Sequence, residues 1–134
     1  MVAIPDRSPR VLVALRHPRL RHAVATALDS SANVTIVGAV GELDCAVREA
    51  RETHADGVVI GTGLLRGDLV ASLKKLVASL PDTRIIVVGT ESSPAYARTL
   101  EAAGAAAYVS LQWGADVLST SVRLALMTGA HQLA

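Results

Sequence analysis

The chain of 134 residues predicts an α/β fold, a single doubly wound domain in which five parallel strands are covered by five helices. Three observations carry that expectation. Short runs of consecutive apolar residues recur along the chain, as parallel strands buried on both faces require. Between them the apolar spacing changes to the i, i+3, i+4, i+7 rhythm of amphipathic helices. Pro, Gly and Asn mark the places where one period gives way to the other.

The first strand lies in RVLVALRH, residues 10–17. Pro18 then suits the first position of a helix, where its missing N–H costs nothing. Leu20, Ala23, Val24, Ala27 and Leu28 supply that helix's apolar stripe. Asn33 and Val34 lead into TIVGAV, the second strand. Leu43, Ala46, Val47 and Ala50 stripe a second helix, and DGVVIG, residues 56–61, holds the third strand. Leu69, Leu73, Leu76, Val77 and Leu80 mark a third helix that Pro81 stops. RIIVVGT, residues 84–90, is the fourth strand; Pro94 opens a fourth helix running through Tyr96, Leu100 and Ala103, capped by Gly104. GAAAYVSL, residues 104–111, carries the fifth strand, and Leu118, Val122, Ala125 and Leu126 stripe the last helix, with Gly129 just beyond it. Residues 1–9 and 130–134 read as flexible tails on a domain spanning 10–129.

Composition narrows the function. Apolar residues make up 51% of the chain, yet no apolar run is long enough to cross a bilayer. Residues 1–10 are polar and proline-punctuated, unlike a secretory signal, so the expected location is the cytoplasm without membrane insertion. Cys45 is the sole cysteine, which excludes an intrachain disulfide and a cysteine-based zinc site. Its place on the apolar side of a helical pattern fits a buried thiol. The net charge of +1 is too small for a nucleic-acid footprint. Arg7, Arg10, Arg16, Arg19 and Arg21 gather near the start with His17 and His22. They read as a solvated face, with a docking patch for an acidic partner as the alternative.

In a doubly wound sheet the working site lies at the carboxyl ends of the strands. That selects Leu15-Arg16-His17, Gly61-Thr62-Gly63, Gly89-Thr90-Glu91 and Leu111-Gln112-Trp113. The segment GTGLLRG at 61–67 does not make a dinucleotide fingerprint, because its third glycine falls one residue late and it follows the third strand rather than the first.

Two stretches, RVLVALRHPRLR and YARTLEAAGAAAYV, carry a more specific signal. Through them the chain resembles the receiver domain of bacterial response regulators, of the NarL/LuxR type, from residue 10 to about residue 129. The resemblance implies a CheY-like, flavodoxin-like sheet with strand order 2-1-3-4-5. Such receivers accept phosphate from a histidine kinase on an aspartate at the end of strand three. An acidic pair after strand one holds Mg²⁺, a hard cation that favours carboxylate oxygens. A Thr or Ser after strand four and a Lys after strand five contact the phosphoryl group, and an aromatic residue in strand five reports the change. Carried over, the acidic pair becomes Leu15 and Arg16, the acceptor Gly61, the hydroxyl Gly89 and the lysine Leu111; the aromatic residue survives as Tyr108.

None of these replacements performs the lost chemistry. Gly61 has no nucleophile and Leu15 no oxygen. Arg16 places a permanent cation where the metal would sit: at about 8 Å and an effective dielectric of about 20, it repels a divalent ion by roughly 4 kcal/mol. Thr90, beside Gly89, restores a hydroxyl but neither acceptor nor metal. The expectation is therefore a degenerate pseudo-receiver, not an enzyme, with no catalytic residue, metal or cofactor. It would act in two-component-type signalling by phosphorylation-independent binding to a protein partner.

The resemblance further implies a contact and homodimer face made of helix 4, strand 5 and helix 5: residues 95–103, Tyr108 and residues 116–127. Thr90, Tyr96, Tyr108 and Trp113 are its switch or interaction candidates, Tyr108 in a fixed orientation and Trp113 as lid packing or partner anchor. Direct nucleic-acid binding is not expected. With Gly61, Gly63 and Gly89 lining the site, either Leu15, Arg16 or Leu111 folds in or a small pocket remains; one alternative is therefore a small-molecule or anion sensor in the space between Arg16, Gly61 and Gly89, with Arg16, Arg19 and Arg66 as anion or acidic-partner contacts. The other is the receiver part of a LuxR-type transcription factor, against which the end of the chain soon after the last helix argues. Asp56 reads as structural, and Asp68 and Glu91 as surface charges or ion-pair partners of Arg16 or Arg66.

Overall fold

The structure, a computed structural model, describes residues 8–131. Five strands alternate with five helices: β1 (Arg10–Ala14), α1 (Pro18–Ser31), β2 (Thr35–Val40), α2 (Leu43–Glu52), β3 (Gly57–Gly61), α3 (Leu69–Ser79), β4 (Arg84–Gly89), α4 (Pro94–Ala102), β5 (Ala107–Ser110) and α5 (Ala115–His131). Short 3₁₀ turns at Thr62–Leu64 and Leu111–Trp113 follow β3 and β5. All pairings are parallel, in the order β2-β1-β3-β4-β5, so the expected fold class and strand order are both found.

The near-continuous apolar strands are explained by two cores, one on each face of the sheet. Leu12, Ala14, Val58, Ile60, Ile85, Val87 and Tyr108 point to the layer beneath α2, α3 and α4. Their neighbours Val11, Val13, Val59, Ile86, Val88 and Val109 point to the layer beneath α1 and α5. Alternation along each strand makes this division automatic. Helix starts follow the sequence: Pro18 and Pro94 occupy first-turn positions, Asp68 caps α3 by accepting from the Ala71 N–H at 3.2 Å, and Ser93 caps α4. Gly104, at φ 118°, turns the chain out of α4.

The boundaries differ from expectation in two places. The Pro9 carbonyl accepts from the Thr35 N–H at 2.8 Å, so the folded chain begins before Arg10; residues 1–7 of the expected N-terminal tail lie outside the described residues. Helix α5 runs through Gly129 to His131, because one glycine inside a helix costs only about 1 kcal/mol relative to alanine. Of the expected C-terminal tail, residues 132–134 lie outside the described residues.

Asp56 is structural, as its place at the head of β3 suggested. Its Oδ2 accepts from the Arg10 N–H at 2.7 Å, and its own N–H and carbonyl join β1 and β4. Arg10 Nε donates to the Thr53 carbonyl at 2.8 Å, closing the amino-terminal edge of the sheet.

Candidate functional site

The register of the sheet sets its carboxyl edge. Gly61 ends β3 opposite Val88, and Gly89 ends β4 opposite Ser110. Gly89 is thus the last residue of its strand, and Thr90 stands outside on an exposed loop. Leu15 follows β1 and is held on both sides: its N–H donates to the Val40 carbonyl at 3.0 Å, and its carbonyl accepts from Arg21 Nη1 at 2.8 Å.

That clamp aims the Leu15 side chain at Gly61. A Cβ on Gly61 would lie 2.6 Å from Leu15 Cδ2, well inside van der Waals contact. Leu15 is only 3% exposed. A hydrocarbon side chain therefore fills the volume into which any side chain at residue 61 would project.

Gly89 shows the same exchange. A Cβ there would meet Tyr108 Oη at 2.9 Å and both Thr62 Cγ2 and Thr62 Oγ1 at 3.2 Å. Tyr108 is buried, and its hydroxyl donates to the Glu91 carbonyl at 2.7 Å. Its ring meets Tyr96 edge-on at 5.1 Å and Trp113 edge-on at 6.4 Å. The chain has two Tyr, one Trp and no Phe, and all three of those rings belong to this cluster. Burial pushes the Tyr108 phenol up to about 12, with the Tyr96 and Glu91 charges adding to the rise. Burial, then the Glu91 charge, raises Tyr96 as well.

A polar clasp holds the loop after β4. Gln112 Nε2 donates to the Thr90 carbonyl at 2.9 Å, Ser92 and Ser110 hydroxyls lie 3.1 Å apart, and the Gln112 N–H donates to Ser110 Oγ at 3.2 Å. Ser110 is completely buried. Ser92, Ser110 and Gln112 were not singled out for this role by sequence, since they are common polar residues whose pairing spans about twenty positions. Only the placement of Gln112 at a strand's carboxyl end hinted at it.

The remaining candidates separate. Arg16 is exposed and shares a cleft of about 500 Å³ with Arg66, Leu64, Gly41, Glu42, Asp44 and Ser72. Arg19 does not line it. Of the outcomes left open for the space between Arg16, Gly61 and Gly89, the structure has Leu15 folded toward Gly61, with Tyr108 and Thr62 against Gly89, while Arg16 lines a separate cleft. Glu42 and Asp44 on the rim offset the two arginines there. Asp68 serves as a helix cap, and Glu91 contributes its backbone carbonyl. Leu111 packs partly buried against the α1/α5 layer. Cys45 is half-buried rather than buried, with Arg48 Nη2 3.7 Å from its sulfur. Among the described residues no three His, Cys, Asp or Glu side chains come together as metal ligands would, and no helix is long and apolar enough to cross a membrane.

No protein-family model matches the chain, and no curated protein sequence matches it. Solved structures do. A two-component response regulator of the LuxR family from Aurantimonas sp. SI85-9A1 superposes with a TM-score of 0.79 at 21% identity, over 90% of this chain and 86% of that one. A DNA-binding response regulator of the LuxR family from Staphylococcus aureus gives 0.75 at 15% identity, over 88% and 98%. The isolated receiver domain of RcsB from Salmonella enterica serovar Typhimurium, solved with the phosphomimetic BeF₃⁻, gives 0.69 at 18% identity, over 81% of each chain. At these identities what is shared is the fold, and the fold is that of response-regulator receiver domains.

Proposed function

We propose that this domain is a pseudo-receiver: a non-catalytic signalling module, working in the cytoplasm, that takes no phosphate and acts by binding a protein partner. One observation carries the reading. The Leu15 side chain occupies the volume in which a phosphoacceptor at residue 61 would have to stand. The site is thus repacked with hydrocarbon as well as stripped of acids. Gly89, filled by Tyr108 and Thr62, supports the same conclusion from the neighbouring strand.

The partner surface follows from what is held still. Tyr108, Gln112 and Ser110 tie the β4–α4 loop to the end of β5, so the Tyr96–Tyr108–Trp113 cluster is presented in one arrangement without any input. Trp and Tyr are the side chains most enriched where binding energy concentrates. The anion-sensor reading is weaker, since the cleft that holds Arg16 and Arg66 also carries Glu42 and Asp44.

Backbone amide spectra recorded with and without beryllofluoride and Mg²⁺ test the reading. The resonances of Gly61, Thr62, Gly89 and Thr90 are expected to stay in place. Saturable shifts at Gly61 and Gly89 would mean that the site still accepts a phosphoryl group, and would overturn it.

A further inference from the structure

The cleft of about 500 Å³ at the carboxyl edge of the sheet carries two arginines, Arg16 and Arg66, and two carboxylates, Glu42 and Asp44. All four side chains are exposed. Among the described residues none of the four charged groups takes part in an ion pair or a side-chain hydrogen bond. Unlike charges thus line one cleft without neutralising each other by contact. Arg21 reaches the back of Gly41, but its Nη1 is engaged with the Leu15 carbonyl at 2.8 Å.

The sheet sorts these charges by sign. Glu42 and Asp44 belong to the chain leaving β2, Arg16 follows β1, and Arg66 follows β3 and its 3₁₀ turn. In the order β2-β1-β3 the acids therefore come from the edge strand and the arginines from the two strands inside it. The rest of the lining is small or aliphatic: Leu43 is half-buried, Leu64 is buried, and Ser72 offers a hydroxyl. A simple anion here is attracted by two arginines and repelled by two carboxylates, and a simple cation meets the converse. A molecule with one charge of each sign gains from both pairs when its cation lies toward the β2 side. Leu43 and Leu64 give an aliphatic body apolar surface to cover. The volume lies within the range of small-molecule sites, roughly 300–1,000 Å³.

We propose that this cleft binds a zwitterionic small molecule, an α-amino acid with an aliphatic side chain, its carboxylate toward Arg16 and Arg66 and its ammonium toward Glu42 and Asp44. The acids that count against an anion sensor supply half of the recognition. Exposed ion pairs each contribute little, so the affinity expected is millimolar rather than micromolar. The site does not depend on whether the domain accepts phosphate.

Titration of the intact chain with L-leucine, followed by calorimetry and by backbone amide spectra, tests it. Two analogues serve as controls: 4-methylpentanoate lacks the ammonium group and 3-methylbutan-1-amine lacks the carboxylate. Saturable binding of L-leucine is expected, with shifts at Gly41, Leu43, Leu64 and Ser72, and each analogue should bind about tenfold or more weakly. Glu42→Gln with Asp44→Asn should lose L-leucine and gain 4-methylpentanoate. Arg16→Gln with Arg66→Gln should lose L-leucine and gain the amine. All four positions are exposed, so far-ultraviolet circular dichroism should be unchanged in both variants. No saturable response to L-leucine, or shifts confined to other parts of the chain, would overturn the proposal. So would 4-methylpentanoate binding as tightly as L-leucine, the mark of an anion site alone, or L-leucine affinity unmoved in either variant.

Discussion

Gly61 sits at φ −82° and ψ 145°, extended backbone that any L-residue adopts. Nothing in the backbone therefore demands glycine. Alanine there would gain about 0.4–1 kcal/mol by restricting the unfolded chain. Against that gain stands the 2.6 Å approach of Leu15 Cδ2 to the new Cβ, roughly 1 Å inside the usual carbon–carbon separation. Leu15 is buried at 3% exposure, so its flexible side chain can turn away only by pressing into the packed layer around it. Overpacking of this kind costs about 1–3 kcal/mol, leaving Gly61→Ala destabilised by about 1–2 kcal/mol. Leu15→Ala alone should cost about 2–5 kcal/mol through lost burial and a cavity. In the double variant the new methyl enters that cavity, and the Gly61→Ala penalty should vanish. The expected result is a coupling of about 1–3 kcal/mol in a double-mutant cycle, read from urea unfolding with a constant slope. Strictly additive costs, or a Gly61→Ala variant as stable as the parent, would refute the packing argument.

Gly89→Ser places its Cβ 2.9 Å from Tyr108 Oη. It should dislodge the hydroxyl from the Glu91 carbonyl, cost about 1 kcal/mol for that hydrogen bond beyond any crowding, and change Trp113 fluorescence, since the two rings are neighbours. Unchanged emission and stability would show that Tyr108 is not held by the space at Gly89. The tyrosines supply a pH test. Tyr108 is pushed up to about 12 and Tyr96 is also raised. A phenol raised above its unfolded value of about 10 favours the folded state below that pH, and its contribution is lost as the pH climbs toward 12. Phenolate absorbance should accordingly appear late in the folded protein and near pH 10 after denaturation; a folded-state titration near pH 10 would contradict the burial of Tyr108.

The sheet was legible because strands buried on both faces leave unbroken apolar runs, and Pro18, Pro94 and Gly104 punctuate the helices by local rules that need no tertiary information. The α5 terminus was misplaced because Gly129 reads locally as a stop, while a helix whose inner face is packed tolerates it. At the site, sequence singled out Leu15, Gly61 and Gly89 but left open whether Leu15, Arg16 or Leu111 folds in among them or a pocket remains. Counting the atoms a glycine lacks says nothing of which neighbour reaches in. That depends on the pairing of β1 with β3, which sets Ala14 beside Ile60 and so brings Leu15 against Gly61 from far along the chain. For the same reason Arg16, Arg19 and Arg66 formed one group on paper, while the fold gives Arg16 and Arg66 a shared cleft that Arg19 does not line. The clasp of Ser92, Ser110 and Gln112 has no local signature at all.

At this edge of the sheet large side chains face glycines. Leu15 is opposed by Gly61, and Tyr108 by Gly89, as a close-packed interior requires. A larger side chain placed at residue 61 or 89 would therefore meet its neighbours first. The same pairing fixes the loop beyond β4. Three hydrogen bonds, from Tyr108 to Glu91, from Gln112 to Thr90 and between Ser92 and Ser110, hold it in place. At about 1 kcal/mol each they bias the loop by more than about a hundredfold toward one arrangement. A phosphate-driven switch needs two arrangements close enough in energy for a ligand to choose between them. On the function proposed above, a domain biased this strongly would offer a partner one surface at all times.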